Sequence, residues 1–236
     1  MSNNLNIKNI SVELSKKTID KSPKLGKIKL SPTSAINMNG VSPGPVSPTC
    51  FPAGSLVLMA DLSWKAMEQV KLGELMWSVN GPTECVEEYV TTLGNRRMIT
   101  FEDESILWSE EHLFWTKSEG KEWWWTYNAD IWRWEVDIGA TVGLIDNYSL
   151  RDGEILLEYA HLDGWKLQKS KVIEGDYNEN TPLYLSKTNG EPIVVDGYLV
   201  TAGTNEFVFD YSKIKWDDAV SKYKKSLKES MLVAEF

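Results

Sequence analysis

From Cys50 to about Phe209 the apolar residues fall into short runs rich in β-branched, aromatic and leucine side chains. These are SLVLMA, LMWSV, CVEEYVTTL, RMITFE, SILWS, LFWTK, EILLEYA, LYLS, PIVVDGYLV and FVFDY. Each is short enough for a strand. Between them stand turn dipeptides: NG at 80–81, GN at 94–95, EG at 119–120, DG at 152–153 and 163–164, NG at 189–190 and DG at 196–197. Short runs broken by such pairs predict a meandering all-β architecture. The stretch KEWWWTYNADIWRWEVD (121–137) has the weakest alternation and reads as an irregular or short helical insert.

The two ends read differently. Residues 1–49 contain no Trp, Tyr or Phe and are rich in Lys, Ser, Asn and Pro, so they cannot bury enough surface to fold alone. VSPGPVSP (41–48) reads as a stiff, extended linker. In the tail, Trp216, Val220, Tyr223, Leu227 and Met231 recur at helical spacing, with lysines over much of the remaining surface. Three parts follow: an arm and linker (1–49), a β domain (50–209) and an amphipathic helical tail (210–236). The tail helix either packs one face on the domain or docks another subunit.

Composition narrows the function classes. The formal charge of −9 lacks the basic footprint of nucleic-acid binding. No apolar run approaches the length of a membrane span, and the N-terminus lacks a signal-peptide centre. Two cysteines make no disulfide framework, and with His112 and His161 they lack the close ligand pairs of a zinc site. No metal and no cofactor are expected. Eleven Trp residues point to a packed core or large contact surfaces. Trp faces on EWWWTYNADIWRW (122–134) also suit a carbohydrate platform, the weakest of the readings. Cys85 reads as core, and His161 stands by a turn with no partner motif.

The chemistry gathers at TCFPAGSLVLMADLSW (49–64). Cys50 follows the linker and opens the β domain. CFPAGSLVLMADLSWKAMEQVKLGELMWSVNG (50–81) resembles the start of a Hint domain, the fold of inteins and hedgehog autoprocessing domains. A Cys opens it, and KAMEQVKLGELM (65–76) has Gly73 in place, with Glu74 where Asp is usual. SEEHLFW (109–115) resembles the family's T-x-x-H landmark, with Ser109 for Thr and His112 matching. VVDGYLVTA (194–202) resembles the closing strands. The likeness spans about residues 50–204.

The resemblance implies a pseudo-symmetric all-β Hint fold with Cys50 as nucleophile and Thr49 as the residue before the scissile bond. It also implies His112 as proton donor to the leaving amide and Ser109 as a hydroxyl support. Such an N–S acyl shift needs a thiol beside a peptide bond in a dry, fixed site. The bland alternative is a buried, inert cysteine and a packed strand histidine. The family's terminal His-Asn reads here Thr201-Ala202, and its upstream His reads Glu191. Alanine has no side-chain amide to cyclise, so splicing and Asn-dependent cleavage are not expected.

Two functions follow. The first is structural: a Hint fold resembling those of small tailed-phage proteins, serving in a virion, tail-associated, or in the host cytoplasm during assembly. Its partners would be other virion proteins or copies of itself, met through residues 1–49, the Trp-rich stretch and the tail helix. The second is single-turnover self-processing at Thr49–Cys50.

Overall fold

The structure, a computed structural model, describes residues 50–102, 104, 106–118, 120–128, 145–146, 156–173, 177–202 and 213–233. The arm, the second half of the Trp-rich stretch and FVFDY lie outside these residues.

After Cys50 comes β1 (Phe51–Pro52), then a hairpin of β2 (Leu56–Leu58) and β3 (Trp64–Ala66). A short ladder follows, β4 (Leu75–Met76) with β5 (Thr83–Glu84). Next are β6 (Glu87–Thr92), β7 (Met98–Phe101) and β8 (Leu107–Ser109). β9 (Phe114–Ser118) and β10 (Lys121–Thr126) form a hairpin, and β10 pairs in parallel with β11 (Ile145–Asp146). The chain continues through β12 (Leu156–His161), β13 (Gly164–Val172), β14 (Pro182–Lys187), β15 (Ile193–Val195) and β16 (Tyr198–Val200) to the helix α1 (Trp216–Val233). The architecture is all-β with a C-terminal helix, as the hydrophobic pattern predicts.

The largest sheet runs β3-β2-β15-β16-β9-β12-β13-β7-β8, and a second, smaller one runs β1-β14-β6. Early and late strands therefore interleave: Val57 pairs with Val195, Phe51 with Tyr184, and Phe114 with Val200. That interleaving brings the first residue of the domain and its closing strand to one place.

The aromatic residues of the separate runs meet in two clusters. Phe101 lies 4.6 Å from both Trp108 and Tyr159 and 5.0 Å from Tyr198, ring centre to ring centre, in tilted or edge-on arrangements. A second cluster joins Leu58, Trp115, Trp124 and Leu199 to Trp216, Ala219 and Val220 of α1. Trp124 and Trp125 are buried, so this part of the Trp-rich stretch is core.

Two of the longer strands differ from expectation. Residues 121–126, read as irregular, form β10, because Trp123, Trp124 and Trp125 pair across β9 and cover both faces of the sheet. The strand β13 has no counterpart among the apolar runs. Its inward positions include Gln168 and Ser170, both buried, so the apolar alternation that marks a half-buried strand is missing. Ser170 shares a hydrogen bond with the Tyr159 hydroxyl at 3.0 Å, and Gln168 Nε2 donates to Glu104 at 3.1 Å.

Candidate functional site

Cys50 is held from one side by β1 and from the other by the end of β8. Phe51, fully buried, pairs with Tyr184 of β14 and fixes the entry of the chain. Ser109 ends β8 and takes both polar groups of the Cys50 backbone. The Cys50 amide donates to Ser109 Oγ at 3.0 Å. The Cys50 carbonyl accepts from the Ser109 amide at 3.0 Å and from its hydroxyl at 3.1 Å. The nitrogen in that first bond belongs to the Thr49–Cys50 peptide. Thr49 itself lies outside the described residues.

Past Ser109 the chain turns, and the His112 amide closes the turn on the Ser109 carbonyl at 2.9 Å. The His112 ring is fully buried, 4.2 Å from the Phe51 ring centre at 58° and 5.8 Å from that of Phe114. The structure thus brings Cys50, Ser109 and His112 together through backbone and ring contacts.

The turn is clamped by charges that the motif comparison does not point to. Arg97 donates through Nε to Glu110 at 2.6 Å, and the Glu110 amide donates to the Arg97 carbonyl at 3.0 Å. Arg96 donates through Nη1 to Glu111 at 2.6 Å and through Nε to the Leu93 carbonyl at 2.8 Å, with Nη2 on the Thr92 carbonyl. Glu111 is fully buried, and burial pushes its carboxyl above the usual range while Arg96 pulls it back. The Cys50 thiol lies within the electrostatic influence of this pair. Burial pushes that thiol up to about 12, opposed by Arg96 and reinforced by Glu111. The only sequence signal for this group is the adjacent pair of arginines at 96–97 and the pair of acids inside SEEH.

The closing strand arrives at the same place. The Thr201 amide donates to the Leu113 carbonyl at 3.2 Å, one residue past His112. Ala202 is buried, and its carbonyl accepts the Thr188 amide at 2.7 Å. Glu191 is used elsewhere: its carboxylate lies 3.4 Å from Ser78 Oγ and 3.5 Å from Asn80 Nδ2. The second cysteine, Cys85, is free and buried. His161 sits in the Tyr198 neighbourhood, away from this turn, paired with Tyr198 across β12 and β16. Among the described residues no three His, Cys, Asp or Glu side chains are grouped to hold a metal ion, and no helix is long and apolar enough to cross a membrane.

An opening Cys, a Ser-x-x-His turn and a closing strand converge in one all-β body, in the order that the resemblance to Hint-type, intein-like domains implies. No family model matches the chain, and no curated protein matches it. Solved structures do. A bacterial intein-like domain from Clostridium thermocellum aligns with 66% of this chain and 99% of its own, at 18% identity and a TM-score of 0.43. A DnaB intein from Synechocystis sp. PCC 6803 aligns with 66% and 100% at 10% identity and a TM-score of 0.43. The gp41-1 intein aligns with 65% and 98% at 19% identity and a TM-score of 0.40. These likenesses concern the fold alone.

Proposed function

We propose that the chain is a Hint-type self-processing module that breaks its own Thr49–Cys50 peptide bond and does not splice. The observation that carries this reading is the double hold of Ser109 on the backbone of Cys50, which fixes the amide nitrogen that must leave. In the reaction the Cys50 sulfur bonds to the Thr49 carbonyl carbon and the C–N bond breaks. The thiol proton is balanced by the proton gained at the freed Cys50 amine, so the shift is an isomerisation to a thioester. Water or another nucleophile then releases residues 1–49 and regenerates the thiol. At the other end Ala202 has no side chain to cyclise, so residues 50–236 stay joined. Packing in a dry, preformed site suits an attack that depends on alignment.

Intact-mass analysis of the full chain, with and without hydroxylamine, tests this. A hydroxylamine-dependent 49-residue fragment from the wild type and none from Cys50→Ala supports it. Equal behaviour of the two overturns it.

A second reading, the fold as an assembly module in a virion-type structure, is favoured by one observation. The outer half of α1 carries Met231 and Leu232, 64% and 62% exposed, on a helix whose first turns bury Trp216, Ala219 and Val220. Sedimentation of the full chain against a chain lacking residues 227–236 tests it. A helix-dependent oligomer supports this reading, and a monomer at every concentration for both chains removes it.

A further inference from the structure

The apolar stripe of α1 outruns the surface it packs on. Trp216 and Val220 are buried, and Tyr223 and Leu227 are half-buried. Met231, next on the same stripe, is 64% exposed, with Leu232 beside it. The sheet face under α1 has an exposed apolar rim of its own. Leu58 of β2 is buried in the cluster that holds α1. Leu56, two residues before it, shares its face, and Trp64 stands directly across from Leu58 on β3. Met59 pairs with Met76, and the Trp77 amide donates to the Leu58 carbonyl at 2.9 Å, so Leu75 and Trp77 lie on that face too. Trp77 is taken up by Trp216 and Tyr223 of α1. Leu56, Trp64 and Leu75 are left 41%, 41% and 51% exposed.

The two patches differ in charge. Residues 222–233 carry Lys222, Lys224, Lys225 and Lys228 against the single acid Glu229. Residues 60–88, around the rim, hold six acids and two lysines. Both of those lysines are paired at home, Lys65 with Glu74 and Lys71 with Glu88. Glu84 is exposed and pairs with Leu75 across β4 and β5, so a carboxylate borders the rim. The helix is continuous and pinned at its first turns, so its end does not fold back onto its own rim.

We propose that a second copy of this chain covers both patches: the α1 end of each copy seats on the Leu56–Trp64–Leu75 rim of the other, in a two-fold pair. This deepens the assembly-module reading and rests on it. Helix end against helix end would set lysines against lysines, and rim against rim would set acids against acids, so charge selects helix end against rim. Both patches belong to the α1-bearing face, so one two-fold axis makes the contact twice.

Sedimentation of the full chain over roughly a hundredfold range of concentration tests this. The wild type is expected to dimerise, more weakly as salt rises. Trp64→Glu and Met231→Glu alter exposed positions, and thermal unfolding checks that each variant is folded. Each should weaken the dimer at least about tenfold. An equimolar mixture of the two variants should recover part of the association, because one intact helix end then meets one intact rim. No recovery overturns the proposal, and so does association that strengthens with salt. A helix-dependent dimer that Trp64→Glu leaves intact overturns it while the assembly reading stands. A dimer that survives both substitutions also overturns it and puts the contact elsewhere, residues 1–49 included. A monomer at every concentration removes the proposal and the assembly reading together.

Discussion

The hydroxyl of Ser109 accepts the Cys50 amide at 3.0 Å and donates to the Cys50 carbonyl at 3.1 Å, so one side chain holds both ends of a single residue's backbone. Both groups are buried. Ser109→Ala leaves the amide of the scissile bond without its acceptor in a site that water does not reach. The expected cost is about 1–3 kcal/mol of stability, from a buried donor left unmade. Fragment release is expected to slow about tenfold or more, because the leaving nitrogen loses its fixed position. Ser109→Thr keeps the hydroxyl and should recover most of both. Urea denaturation and hydroxylamine-dependent fragment yield, measured on the same preparations, check the two effects separately.

How much of this was legible beforehand follows from which residues face inward. Strands such as β15 and β16 bury Ile193, Val194, Val195, Tyr198, Leu199 and Val200, and an apolar run announces them. β13 turns Gln168 and Ser170 inward instead, and a polar inner face leaves no apolar rhythm to read. The site divides in the same way. Cys50, Ser109 and His112 lie in recognisable local motifs. The Arg96–Glu111 pair joins residues 15 apart that share no motif, and only the fold brings them together. A buried ion pair depends on tertiary geometry, which spacing along the chain does not encode.

Gly197 has a backbone and a neighbour that both require glycine. Its φ is +90°, and a Cβ built there would stand 2.2 Å from His161 Nε2. Gly197→Ala should therefore destabilise the fold by more than the about 1–3 kcal/mol that left-handed strain alone costs, and lower the melting temperature accordingly. Gly197→Ala/His161→Ala removes the clash and keeps the strain. Thermal unfolding should place the double variant between the wild type and Gly197→Ala after correction for His161→Ala alone. A fully additive pair would show that the two residues do not meet.

His161 also gives the fold a pH dependence of known sign. Burial, with Lys166 adding to it, lowers its pKa from 6.5 to about 4, against the opposing pull of Asp163 and Glu104. The neutral ring accepts the Asp163 amide at Nδ1, 3.0 Å away, a bond that protonation at that nitrogen would break. Between pH 4 and 6.5 the unfolded chain binds the proton and the folded chain does not. Stability contributed by the neutral ring is therefore complete above 6.5 and falls as pH drops towards 4. Glu104, held below the usual carboxylate range by Lys166 and the Tyr198 hydroxyl despite its burial, adds a loss of the same sign at lower pH. Urea midpoints across this window should fall less steeply for His161→Gln than for the wild type, by up to about one proton's worth of slope. Parallel slopes would mean that His161 titrates normally in the fold.

The helix α1 is fastened by its first half. Trp216 is buried, 6.3 Å from Trp77 at 85°, and Tyr223 meets Trp77 at 6.0 Å. Polar contacts flank them: Trp165 Nε1 donates to Asp217 at 3.0 Å and Lys224 to the Asp163 carbonyl at 3.2 Å. The exposed polar bonds are individually small, so the aromatic contacts decide whether the helix stays docked. Trp216→Ala should cost about 3–5 kcal/mol if the helix unfolds with the domain as one unit. If it detaches first, the melting of the β body should change little while trypsin cuts rapidly at Lys222, Lys224 and Lys225. Limited proteolysis beside thermal unfolding distinguishes these cases. The second is expected, because the outer turns of α1 have few contacts to lose and Trp216 is the deepest of those that hold it. A variant that resists trypsin like the wild type would place the anchor elsewhere, on Val220 and Tyr223.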